Sequence, residues 1–225
     1  MLFGTGVAGT NDRSLTISAL VTTGYNMLAE ASAAGFVNSG ITAAVSFTIN
    51  SGVIVTRTSA AAGAAMTTGA FENRHSITIY NNGTIGGGTG NTATSVGEDG
   101  GAGGVGFDVS CSITLHNNGI IGSGGGGGGG PGEGTQATWG WSGGDEPILI
   151  CNTWGTASGA SGSPGGLGAV GNNGSYYGSA YPGGGANIDC TTITAGDGGA
   201  TGTSIKSNGN TVDLAVTGSI LGPQT

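Results

Sequence analysis

Apolar and polar residues alternate in short bursts along this chain, and each burst closes on a glycine. Ile77-Thr-Ile-Tyr-Asn-Asn-Gly-Thr-Ile-Gly-Gly87 and Ile113-Thr-Leu-His-Asn-Asn-Gly-Ile-Ile-Gly122 are near copies of one unit. Phe47-Thr-Ile-Asn-Ser-Gly-Val-Ile54 is an earlier copy and Val212-Asp-Leu-Ala-Val-Thr-Gly-Ser-Ile-Leu-Gly222 a late one. The period-two alternation predicts a strand, a tight turn in which Asn and Gly take positive φ, and a second strand. The turn glycines are then Gly52, Gly83, Gly119 and Gly218. Ile148–Gly155 reads as a degenerate member and Ile188–Ile193 as a weaker one. A unit returning after roughly 30–40 residues points to a solenoid or stacked array, in which each copy buries its apolar edge against the next.

Elsewhere the pattern is sparser. Leu15–Val21 alternates as a strand, residues 41–58 are β-rich, and Ala60–Met66 is a small-residue connection. A helix is predicted over Asn26–Ala34, where Met27, Ala31 and Ala34 share a face and Gly35 suits the position after the C-cap. About two turns of helix need packing to persist. The second repeat unit runs into seven glycines, Gly124–Gly130, stopped by Pro131. Ordering glycine costs more backbone entropy than ordering any other residue. The run is therefore either a tether or a set of polyproline-II-like rods whose bare backbones pack together.

Composition bears on the order of the chain as a whole. Of 225 residues 53 are glycine, yet only 7% are charged and 36% are hydrophobic, the reverse of a disordered chain. An ordered, loop-rich protein of one or two domains follows. The net charge of −8, with Arg13, Arg57, Arg74 and Lys206 as the fixed cations, excludes a phosphate-tracking nucleic-acid surface. No apolar run reaches the length of a membrane span, and residues 1–14 have neither the basic start nor the apolar core of a signal peptide. Cys111, Cys151 and Cys190 are spaced 40 and 39 apart, which suggests equivalent places in successive units and free core thiols.

The repeat units leading into polyglycine resemble the glycine-rich tail proteins of tailed bacteriophages. The match runs in order through Leu15-Thr-Ile, Tyr25-Asn, the helix end at Gly35, Thr48-Ile-Asn-Ser-Gly-Val and both Asn-Asn-Gly units. The glycine-rich remainder is similar to the tail-fibre tip adhesins of T-even-like phages. In that family polyglycine-II helices pack into a sandwich and the loops between them bind a host receptor. Here only Gly124–Gly130 is unbroken, while Gly86-Gly-Gly-Thr-Gly90 and Gly183-Gly-Gly-Ala186 are interrupted. The resemblance therefore implies an all-β fold: a β-solenoid or stacked-sheet body, a smaller polyglycine-II-like distal layer and one short N-terminal helix.

Residues 1–75 are expected to attach to the virion and 76–225 to form the repeat and glycine-rich distal region. Trp139, Trp141, Trp154, Tyr176, Tyr177 and Tyr181 cluster among Gly, Ser and Asn. That mixture forms either a small core over the glycine rods or a contact surface of rigid anchors with polar filler. The resemblance implies the contact surface, binding a host cell-surface protein or glycan. It also implies other virion tail proteins as partners, a homo-oligomer (a trimer) or attachment to one, and a place in the virion tail after synthesis in the host cytoplasm. A purely structural tail, baseplate or capsid fibre component is the alternative.

Catalytic signals are weak, and no enzyme activity, cofactor or metal is expected. His75 and His116 flank or occupy repeat strands, with His116 in the place of Tyr80. Gly103-Gly-Val-Gly-Phe-Asp108 opens like a calcium-binding nonapeptide, but Ser110 stands where a large apolar residue belongs. The neighbouring acids Glu98-Asp99 and Asp145-Glu146 read as solvated loop charge, since glycan cleavage needs two carboxylates facing each other across a groove.

Overall fold

The computed structural model describes residues 11–95, 97–130, 136–141, 147–152, 167–173 and 195–225. These residues form mostly sheet, with very little helix and no closed barrel. The strands are β1 (Arg13–Ile17), β2 (Tyr25–Asn26), β3 (Ala44–Ile49), β4 (Ile54–Thr56), β5 (Met66–Thr67), β6 (Ser76–Asn81), β7 (Thr84–Gly86) and β8 (Phe107–Asp108). They continue with β9 (Ile113–Asn117), β10 (Ile120–Gly122), β11 (Gln136–Trp141), β12 (Pro147–Asn152), β13 (Ile205–Lys206), β14 (Val212–Val216) and β15 (Ser219–Leu221).

Three of the sheets are parallel and grow in chain order: β1-β3-β6-β9-β14, then β4-β7-β10-β15, then β2-β5-β8-β13. Each circuit of the chain visits the first, second and third sheet in turn. Isolated bridges Val21↔Val55 and Ile205↔Gln224 supply the missing second-sheet member of the first circuit and third-sheet member of the last. The two strands of one repeat unit thus lie in different sheets. They turn a corner instead of folding back as a hairpin, and each unit pairs with the next in register, apart from a shift between Leu214 and Val216 where β14 meets β9.

Alternation explains the interior. Leu15, Phe47, Ile79 and Leu115 occupy one register position on successive strands and are all nearly fully buried. The second sheet contributes Val55, Ile85 and Ile121, and the third Met66, Phe107 and Ile205. Intervening residues such as Ser14, Ser46 and Thr78 face outward, where the Ser46 and Ser14 hydroxyls bond at 3.0 Å. His116 pairs with Tyr80 in register and stacks on it at 4.7 Å, the outer-face exchange read from the sequence.

The corners differ from expectation in their backbone. Gly52 has φ of +76°, but Gly83, Gly119 and Gly218 are not in the left-handed region. They are glycine because a Cβ would strike the neighbouring circuit: Gly83 abuts the Val53 carbonyl oxygen, Gly119 that of Gly83, and Gly218 that of Gly119. Asn81 and Asn117, both fully buried, complete the corner. Asn81 Nδ2 donates to Asn117 Oδ1 at 2.7 Å and to the Ile120 carbonyl at 3.2 Å, while Asn81 Oδ1 accepts from the Gly83 N–H at 3.1 Å. Replacing Asn81 with alanine leaves these groups buried and unpaired, and should lower stability by about 1–3 kcal/mol. An unchanged urea midpoint would show that the ladder contributes nothing.

The helix is α1 (Met27–Ala33), with Asn26 accepting the Ala29 N–H at 3.0 Å as N-cap. At its other end Gly35, at φ +83°, donates to Ser32 and Phe36 donates to Ala31, the paired bonds of a Schellman motif. The Arg13 guanidinium bonds to the Ala34 and Gly35 carbonyls there. Met27 and Ala31 are fully buried.

Two expectations are corrected. Ile148–Gly155 does not continue the repeat, because β12 pairs antiparallel with β11, Ala137 opposite Cys151. The even spacing of cysteines therefore does not mark equivalent sites. Cys111 sits free in the core beside β9, where burial pushes its thiol pKa up against smaller opposing hydrogen bonds to Thr68 and Phe71. Ile188–Ile193 and Cys190 lie outside the described residues.

Candidate functional site

The second and third sheets do not connect directly in the third and fourth circuits. From the end of β7 the chain runs out along 87–93 and returns along 98–106 to β8. From β10 it runs out along 122–130, and 167–173 and 195–203 lie beside that segment before β13.

These five segments are joined by backbone bonds that step by three residues. Gly87, Gly90 and Ala93 donate to Gly122, Gly125 and Gly128 at 2.9–3.0 Å. Gly124, Gly127 and Gly130 donate to Gly104, Gly101 and Glu98 at 2.7–2.9 Å, and Gly126 and Gly129 to Ala169 and Asn172 at 3.0 Å. Gly196, Gly199 and Gly202 donate back to Gly130, Gly127 and Gly124 at 2.7–3.0 Å. A step of three is the turn of a polyproline-II helix, which has no internal hydrogen bonds and satisfies its N–H groups only through neighbours.

Segment 122–130 lies in the middle, and all of its residues are buried. A Cβ on Gly124 would collide with the Gly88 carbonyl oxygen, on Gly126 with that of Gly199, and on Gly127 with that of Asn91. With rods on several sides, Gly124, Gly126, Gly127, Gly129 and Gly130 have no room for a side chain, and the side chain of Ser123 is itself buried, its hydroxyl 2.6 Å from that of Thr201. The flanking rods have outward positions, and there Asn91, Ala102, Val170 and Ala200 are exposed. The one unbroken glycine run is the central rod.

The bonding directions place the rod ends. Segments 87–93 and 167–173 run parallel to 122–130, and 98–106 and 195–203 antiparallel. Ala93, Glu98, Gly130, Asn173 and Gly196 therefore share one end, opposite the sheets. In sequence, 94–97 link Ala93 to Glu98 at this end, 131–166 follow Gly130, and 174–194 come between Asn173 and Ala195.

The sequence-predicted contact residues belong to these last two connections. Trp139 and Trp141 fall on β11, in register with Leu149 and Pro147 of β12. Trp154, Tyr176, Tyr177 and Tyr181 lie outside the described residues. Asp108, from the calcium-like motif, accepts a hydrogen bond from Asn208 Nδ2, and no metal-ligating cluster occurs among the described residues. His75 is buried against Phe36 with Nε2 at 2.9 Å from the Asn38 carbonyl, a core role. Three of the cations bond to this chain's own carbonyls: Arg13 as above, Arg57 to Ala64 and Arg74 to Gly40. The sequence reading did not single out Asn173 and Asp197, which interact with each other at the rod ends. Their signal is faint: Asp99-Gly-Gly-Ala102 is repeated as Asp197-Gly-Gly-Ala200, the start of each inbound rod.

The family model of the phage tail fibre adhesin Gp38 matches residues 12–225, and the chain belongs to that family. The protein is thus a virion tail fibre component that takes part in binding the host receptor. Its fold is similar to the gp37–gp38 adhesin tip complex of the bacteriophage S16 long tail fibre, with a TM-score of 0.51 and 15% identity over 95% of this chain and 84% of that one. No curated protein matches the sequence.

Proposed function

We propose that the coiled body is a β-solenoid, that the five rods are a polyglycine-II lattice, and that the connections at the far rod end form the receptor-contacting surface. The observation that carries this reading is directional: the connection holding all three tryptophans and the one holding Tyr176, Tyr177 and Tyr181 both follow, in sequence, the rod end opposite the sheets. Residues 1–75 are the attachment region in this proposal. The S16 structure is a complex of gp37 with gp38, and by analogy this chain mounts on another tail fibre protein, itself trimeric or forming a trimer. The receptor is a host cell-surface protein or glycan, and the role is binding, with no catalytic step.

Trp139, Trp141, Trp154, Tyr176, Tyr177 and Tyr181 are the proposed anchors, because aromatic side chains between small residues concentrate binding energy. Trp141→Ala and Tyr177→Ala should each weaken binding to intact host cells by about 2 kcal/mol or more, with melting unchanged. A fall in melting temperature with full binding per folded molecule would place these residues in a core instead. Wild-type adsorption by every aromatic variant would favour a purely structural fibre component.

A further inference from the structure

At the far rod end three exposed side chains bridge separate rods. Asp99, opening the inbound rod 98–106, accepts the backbone N–H of Asp197 at 2.9 Å. Asn173, closing the outbound rod 167–173, donates from Nδ2 to the Asp197 carboxylate at 3.0 Å. Its Oδ1 accepts the N–H of Gly198 at 2.9 Å. Beneath them the rods are already joined, Gly100 N–H to the Asp197 carbonyl at 2.8 Å and Gly171 N–H to that of Gly199 at 2.9 Å. The lattice therefore does not need the side-chain bonds to hold together. They add a constraint at one level only, at the roots of the outward connections: Asn173 is where 174–194 leaves, and Asp197 follows its return.

We infer that Asp99, Asn173 and Asp197 form a polar clasp that fixes the spacing of the rod ends, and that receptor affinity depends on this clasp through the connections it anchors. Glycine rods bring no side-chain packing to hold their ends, and fixing the two roots of a connection before an encounter leaves less to be ordered on binding. The three residues are positioning residues with no contact to the receptor. The Glu98-Asp99 pair thereby gains a role other than solvated charge, Asp99 as acceptor and Glu98 through its carbonyl to Gly130 at 2.7 Å. The inference rests on the reading that the connections at this end meet the host.

The test compares Asp99→Ala, Asn173→Ala and Asn173→Asp with the conservative Asp99→Asn, in the full chain and in phage carrying each allele. Asn at 99 keeps an acceptor for the Asp197 N–H, whereas Asp at 173 replaces a donor by a second carboxylate facing Asp197. The readouts are binding to intact host cells, thermal melting, and amide hydrogen exchange across 174–194. The expected result is about five- to tenfold weaker cell binding and faster exchange for the first three variants, melting unchanged, and wild-type behaviour for Asp99→Asn. Unchanged exchange in the Asn173 variants overturns the clasp. Faster exchange with undiminished binding overturns the dependence on it, and counts against 174–194 as the contact surface. Binding that falls only in step with melting reduces the three residues to a structural role, which also overturns the inference.

Discussion

Alanine at Gly127 should destabilise the glycine layer by at least about 3 kcal/mol, the upper range for forcing atoms into a packed interior. The added methyl would collide with the Asn91 carbonyl oxygen, and that atom belongs to a backbone held on the other side by the Gly101 N–H at 2.8 Å. No rotamer change relieves such a contact, so a neighbouring rod must move. Gly126→Ala, set against Gly199, should behave alike. The contrast is Thr89→Ala or Ala200→Ser at partly or fully exposed rod positions, within about 0.5 kcal/mol of wild type. Denaturant unfolding followed by far-ultraviolet circular dichroism, with limited proteolysis of the folded state, measures all four. A Gly127→Ala protein that unfolds at the wild-type midpoint would mean that the rods are not in contact at this spacing.

Phe47→Ala should be equally severe in the coiled body, at about 3–5 kcal/mol. Phe47 is fully buried and meets Tyr25 edge-on at 6.3 Å and Phe71 at 6.5 Å, so one substitution opens a cavity against two rings. Burial also raises the Tyr25 phenol pKa well above its ordinary value, with the Glu30 charge adding to the effect. Phe47→Leu keeps most of the volume and should cost less than about 1.5 kcal/mol. Equal and small effects of the two replacements would show that this column is not the centre of the core.

How far the sequence reveals this molecule depends on the range of the interactions concerned. The strands over Ile77–Asn81 and Ile113–Asn117 and the capped helix at Met27–Ala33 are legible because alternation and capping are local. The corner glycines were readable in position but not in cause. Gly83 and Gly119 serve close approach between circuits, and nothing within one unit shows the carbonyl that approaches. Ile148–Asn152 has a strand's composition, but its partner is β11 and not a neighbouring circuit, a choice made by tertiary contacts. Among the rods, Gly124–Gly130 announces itself because at most of its positions a Cβ would strike a neighbouring rod. The flanking rods look like broken runs, since substitutions such as Asn91, Ala102 and Ala200 fall where a rod faces outward. Asn173 and Asp197 meet only because two rods turn at the same level, so their bonds were not legible at all.

The glycine lattice also has a thermal consequence. Unfolding the coil wets apolar side chains, which raises the heat capacity, whereas separating rods joined through peptide groups wets mainly polar surface, which lowers it. The two layers of one chain therefore respond differently to cooling. The coil's apolar adhesion weakens towards freezing, while the rods lose little, so the rod ends keep their order at temperatures where the coil begins to loosen.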